Sequence, residues 1–202
     1  MRIGLLGPAD GDSALVRKAA EFALDALGAE QVVYLGADDA ARDAARSWSS
    51  ELLKAPFGEA AFLDRAFELA RSGSPAHIDE LLRRDADARR ISALRTLPAA
   101  PSRAVEMFED KVVLFVHDKA QLDAEDIANA YLVVYGRSKG VALNHFGPRT
   151  FFSPGPLKAG QLACVERHGD SGVAVVQLDL NSGEVLGRTP LSVGRSKMVV
   201  LS

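Results

Sequence analysis

The first 35 residues constrain the fold more than any other part of the chain. Residues 2–6 form a short apolar run, residues 8–13 supply turn formers and a helix cap, and Val16, Ala20, Ala23, Leu24 and Leu27 then recur at helical spacing. Gly28 stands where a helix commonly stops, and residues 31–35 read as a second strand. Strand, capped helix and strand make a β-α-β unit. Its right-handed crossover holds the strands parallel and gathers the loops at their C-terminal ends, where a ligand site is to be sought.

Residues 39–94 carry helical periodicity throughout, with no strand expected. Ala41, Ala44, Ala45, Trp48 and Leu52 form one stripe, and Phe62, Leu63, Ala66, Phe67 and Ala70 form another. Ser74 and Pro75 make a cap and first-turn pair for a third helix bearing Ile78, Leu81 and Leu82. Arg83, Arg84, Arg89 and Arg90, interleaved with Asp85 and Asp87, read as a solvated face, with an anion-binding patch as the alternative. This middle, with its arginines and the lone Trp48, is also where an added interface could sit, although amphipathic helices covering the core explain it equally well.

From Val105 the period shortens. Residues 111–116 are the strongest buried-strand candidate, and 131–135, 141–146, 150–153, 161–167, 173–180 and 184–190 read as short strands between Gly, Pro, Asn and Asp turns. The pair around Asn181, Ser182 and Gly183 should be a hairpin. A β-α-β half, a helical middle and a β-rich end predict an α/β fold with two stacked mixed sheets flanked by helices, as one domain over 1–202 with the helical segment at 39–94.

With 48% hydrophobic and 25% charged residues, 202 residues suffice for one substantial core. The net charge of -3 gives no reason to expect nucleic-acid binding. The N-terminal apolar run is too short for a signal peptide, and no stretch approaches a membrane span, so a cytoplasmic protein is expected. Cys164 is the only cysteine, which excludes an intramolecular disulfide and a multi-cysteine zinc site; its apolar flanks suggest a buried strand thiol.

The loops that follow the predicted strands carry a further pattern. Gly7-Pro8-Ala9-Asp10-Gly11 follows the first strand, Leu35-Gly36-Ala37-Asp38 the second, His117-Asp118 the strand at 111–116, and Gly136-Arg137-Ser138-Lys139 the strand at 131–135. In this order they resemble the calcineurin-like metallophosphoesterase superfamily, in its small bacterial and archaeal phosphodiesterase form. The resemblance covers residues 1–38 and 105–190 and implies that family's four-layer αββα sandwich. The family reads Asp-x-His after its first strand, and here Pro8 and Asp10 stand there. It reads Leu-Gly-Asp after the second, and Ala37 takes the bridging aspartate's place. Its Gly-Asn-His motif has no match. His117 keeps a histidine, whereas Arg137 and Lys139 replace the pair of a Gly-His-x-His motif. Ser153-Pro154-Gly155-Pro156 echoes the family's Asn-Pro-Gly-Ser turn.

These replacements bear on chemistry. A two-metal phosphoesterase holds cations roughly 3.5–4 Å apart through carboxylates and imidazoles. Proline and alanine offer no donor atom, and Arg137 and Lys139 would repel a divalent cation. The resemblance therefore implies a degenerate member without a metal cofactor. Asp10, Asp38 and His117 could still form a shifted single-metal site, although a loop or capping role for Asp10 and Asp38 and a hydrogen-bonded strand-end role for His117 are the plainer readings. Arg137 and Lys139, with His117 and with His145 or Arg149 nearby, could instead hold a phosphate, a nucleotide or an acidic side chain. Alternatively they pair with Asp10 and Asp38 and fill the emptied cavity.

The expected function is an inactive phosphoesterase-like protein that binds or scaffolds through protein contacts, with a protein partner or a second copy of itself. The alternatives are a phosphate or nucleotide sensor and a residual metal-dependent phosphodiesterase.

Overall fold

The computed structural model of the protein describes residues 1–53, 59–99, 101–169 and 172–191. The β-α-β unit is β1 (Arg2–Leu6), α1 (Ser13–Asp25) and β2 (Gln31–Tyr34), with the strands parallel and Ile3 level with Gln31. Asp12 caps α1, its carboxylate accepting from the Leu15 N–H at 3.0 Å. Val16, Ala19, Ala20 and Ala23 bury the helix on the sheet.

The helical middle is α2 (Ala40–Leu52), α3 (Glu59–Ser72) and α4 (Pro75–Ser92), with Ser74 and Pro75 in the cap and first-turn positions of α4. The region ends in a strand that the periodicity misses: β3 (Leu94–Thr96) runs parallel to β2, with Leu94 level with Val32. Three residues are too few to show a period of two.

The stripe on α3 divides. Phe62, Ala66 and Leu69 are half-buried, whereas Leu63, Phe67 and Ala70 stay exposed. Trp48 is fully buried on the apolar stripe of α2, as expected of a helix that covers the core. The Arg90 and Arg17 guanidinium carbons lie 4.7 and 5.8 Å from its ring centroid. Arg83 pairs with Glu80 and Asp87, Arg89 with Asp85 and Arg90 with Asp25, while Arg84 donates to the Leu53 carbonyl. The arginine row is a set of ion pairs and helix ties.

The second sheet is built from β4 (Ala104–Phe108), β5 (Lys111–Val116), β6 (Leu132–Tyr135), β7 (Ala142–Phe146) and β8 (Arg149–Ser153). A short helix, α5 (Ala124–Asn129), joins β5 to the parallel β6 and starts at a capping box between Asp123 and Asp126. It too escapes the sequence reading, because six residues show less than two turns of periodicity. The strands β9 (Gln161–His168), β10 (Gly172–Asp179) and β11 (Val185–Leu191) return to the first sheet, β9 lying antiparallel to β1. The sheet orders are β11-β10-β9-β1-β2-β3 and β4-β5-β6-β8-β7.

Side chains alternate between layers. Ile3 and Leu5 meet Phe115, Val134 and Phe152 between the sheets. Leu6 turns the other way to join Val16, Ala20 and Trp48 under the helices, and Leu114, Val116, Val133 and Tyr135 meet Ile127 of α5 on the far side. Burial on both faces explains the near-continuous apolar strands. The result is two mixed sheets stacked face to face between helices, as the sequence predicts.

Cys164 is buried on β9, as expected. Burial, with the Glu166 carboxylate nearby, pushes its thiol up to about 11.

Candidate functional site

The parallel strands β1, β2, β5 and β6 deliver four loops to one end of the molecule, around a cavity of about 520 Å³. Pro8 and Asp10 enter its lining from the first loop, Ala37 and Asp38 from the second, His117 and Asp118 from the third, and Arg137 from the fourth. Gln121 completes it from the short turn after Asp118. The loops pack backbone against backbone. A Cβ on Gly7 would lie 1.6 Å from the Gly155 carbonyl oxygen, and one on Gly136 would lie 2.2 Å from that of Leu35. Only glycine fits there. The Ser153-Pro154-Gly155-Pro156 turn is thereby locked onto the first loop, where the Leu157 N–H donates to the Pro8 carbonyl at 2.9 Å.

His117 sits between the two sheets, 9% exposed. Its Nδ1 faces the Leu35 carbonyl at 3.2 Å and its Nε2 the Pro98 carbonyl at 3.1 Å. Carbonyl oxygens only accept, so a neutral ring satisfies one of them and a doubly protonated ring both. Either way, both nitrogens are turned toward backbone. The Pro98 carbonyl comes from the loop after β3, the topological place of the family's third motif. A backbone oxygen meets the histidine there.

Asp38 is a stitch between loops. Its Oδ1 accepts from the Tyr34 hydroxyl at 2.8 Å and from the Ala40 N–H at 3.0 Å, and its Oδ2 accepts from the Gly11 N–H at 3.2 Å. The same Tyr34 oxygen accepts from the Ala9 N–H at 2.9 Å. Burial, with the Asp38 carboxylate beside it, pushes the Tyr34 phenol far above its ordinary value, so it remains a donor. Sequence reasoning passed over Tyr34, because a tyrosine in an apolar strand reads as core.

Asp10 is 72% exposed, adopts φ 51° and lies 3.5 Å from the Lys158 ammonium. Arg137 is 82% exposed and donates to Asp118 at 3.0 Å, so it does not pair with Asp10 or Asp38. The Ala120 N–H, and then the Arg137 guanidinium, hold the Asp118 carboxyl below its usual range. Lys139 is exposed and lies outside the lining. His145 and Arg149 are remote: Thr150 is level with Leu132 at the start of β6, and both residues lie at that end of the sheet. The lining therefore brings together Asp10, Asp38, His117 and Arg137 but not Lys139. It carries three carboxylates against one guanidinium among the described residues.

The donor set does not fit a two-metal centre. Pro8 and Ala37 have no donor atoms, the His117 nitrogens face carbonyls, and both Asp38 oxygens already accept hydrogen bonds. No group of three or more His, Cys, Asp or Glu side chains among the described residues could hold a metal ion.

No protein-family model matches the sequence. No curated protein matches it. Solved structures do share its fold. Yfce, a phosphoesterase from E. coli, is 13% identical with a TM-score of 0.55, covering 95% of this chain and 100% of that one. A conserved uncharacterized protein and predicted phosphoesterase from Streptococcus pneumoniae TIGR4 is 16% identical with a TM-score of 0.52, covering 94% and 95%. Vacuolar protein sorting 29 from Cryptosporidium parvum is 12% identical with a TM-score of 0.50, covering 95% and 97%. The shared fold is that of the calcineurin-like metallophosphoesterases.

Proposed function

We propose that this chain is a metallophosphoesterase-fold protein that does not hydrolyse phosphate esters and works as a binding or scaffolding module through protein contacts. The observation that carries the reading is His117. The one histidine retained at the site loops turns both ring nitrogens toward backbone carbonyls, one from each neighbouring loop of the first sheet. Asp38 is spent in the same way on Tyr34, Gly11 and Ala40. Groups that would move metal or protons in an esterase hold loops together here. The vacuolar protein sorting neighbour supports the reading to the extent that its name describes sorting and not hydrolysis.

No helix of the described residues is long and apolar enough to cross a membrane. A cytoplasmic place is part of the proposal, and a single buried thiol suits a reducing compartment.

The test is incubation of the purified protein with manganese and a generic phosphodiester. The reading expects no turnover above background. Turnover abolished by His117→Ala would overturn it. A second reading, a phosphate or nucleotide held without turnover, has Arg137 at the cavity in its favour and Asp10, Asp38 and Asp118 against it. It requires a thermal shift with such anions that disappears in Arg137→Ala.

A further inference from the structure

The exposed side of α3 is ordered in a way that its packing on α4 does not explain. Ala60, Leu63, Phe67 and Ala70 are spaced by three, four and three residues, the a and d spacing of a coiled-coil seam, and all four are exposed. Leu63 is 58% and Phe67 71% exposed. At 3.6 residues per turn, this seam is rotated by roughly 100° from the Phe62, Ala66 and Leu69 face that is half-buried. Among the described residues, Phe67 and Ala70 of this seam are left uncovered, while Leu63 borders a cavity shared with Phe62 and with Ala88 and Arg89 of α4.

Its flanks are charged in a self-complementary way. Asp64 and Arg71 both lie one position beyond the seam on the same side, seven residues apart. That separation is about 10 Å along the axis, so they cannot pair with each other. Neither has an ionic partner among the described residues, whereas Arg65 on the same helix pairs with Glu68. In an antiparallel helix pair, these positions face their own counterparts across the two-fold axis. Setting Phe67 against Ala70 of the partner subunit brings Asp64 beside Arg71 of the partner subunit, and symmetry repeats the pair.

We propose that α3 is a self-association surface, on which a second copy of this chain docks antiparallel through Phe67 and Ala70, with the register set by two Asp64–Arg71 pairs. This deepens the reading of a module that works through protein contacts by naming its partner. It concerns a face other than the site loops. In this register about eight residues of each α3 overlap, which falls short of a standard stable interface, so the dimer is weak and concentration-dependent.

Sedimentation equilibrium of the full chain tests this directly. Wild type should show a reversible monomer–dimer equilibrium. Phe67→Asp should weaken it more than tenfold, by roughly the value of burying one aromatic side chain. Asp64→Arg and Arg71→Asp should each weaken it by roughly three- to tenfold, and the two together should return it to near wild type. That rescue requires the proposed register. It also guards against a misfolded single variant, as does an unchanged circular-dichroism melt for Phe67→Asp. A monomeric wild type, a dimer indifferent to Phe67→Asp, or a double reversal no better than the singles overturns the proposal. Turnover in the phosphodiester assay would sink the non-hydrolytic reading and leave this result standing, so the two failures are distinguishable.

Discussion

The Nε2 of His117 lies 3.1 Å from the carbonyl oxygen of Pro98, a residue of the loop after β3. Because Nδ1 faces Leu35 at the same time, the ring ties the second sheet to two loops of the first. Removing it breaks this tie and leaves a cavity between the sheets. His117→Ala should lower stability by about 2–4 kcal/mol in urea unfolding. A cost below about 0.5 kcal/mol would show that the ring is not held by these carbonyls.

Tyr34→Phe isolates a single atom. Its hydroxyl oxygen serves the Ala9 N–H and its proton serves Asp38, so its loss leaves a buried backbone donor without a partner. The expected cost is about 1–2 kcal/mol, or about 2–8 °C in thermal unfolding for a chain of this size. An unchanged melting temperature would contradict the stitch.

Gly136→Ala places a methyl group against the Leu35 carbonyl, with an ideal Cβ only 2.2 Å from the oxygen. Backbone atoms must move apart, which should cost about 2 kcal/mol or more. It should also loosen the His117 tie, measurable as faster hydrogen exchange at the Arg137 N–H, which donates to the His117 carbonyl at 2.7 Å. Wild-type stability in this variant would mean that the loops are not locked backbone on backbone.

The alkaline limb of stability follows from Cys164. Its folded value is raised to about 11, so its contribution is fully present below the ordinary thiol range and lost as pH rises toward 11. Urea unfolding at pH 8 and pH 11 should show a loss of at most about 2–3 kcal/mol from this group. Tyr34, raised in the same direction, adds to the loss at higher pH. Cys164→Val, which cannot titrate, should lose less over this range than wild type. An equal loss would assign the effect to other groups.

Much of the scaffold is legible from periodicity because both faces of the central strands are buried. The unit from β1 to β2 and the strand β5 stand out for this reason, and the hairpin of β10 and β11 by its Asn181-Ser182-Gly183 turn. The elements that escape, β3, β4 and α5, are short, and tertiary pairing decides their form. At the site, the loops and their replaced residues are readable in sequence order, as is a hydrogen-bonded role for His117. Its partners are not, because Leu35 and Pro98 lie 82 and 19 residues away. Arg137 pairs with Asp118, beside the histidine in the parallel neighbouring strand's loop, and not with the more distant Asp10 or Asp38. The register of β5 against β6 could have suggested this pairing, since both loops begin at the same level.

The central claim is that the site loops have exchanged metal ligation for internal hydrogen bonding. Elemental analysis of the protein after equilibration with excess manganese and removal of free metal tests it most directly. The predicted result is well below one equivalent of metal per chain, unchanged in His117→Ala. One or two equivalents per chain, lost on substitution of His117 or Asp38, would contradict it.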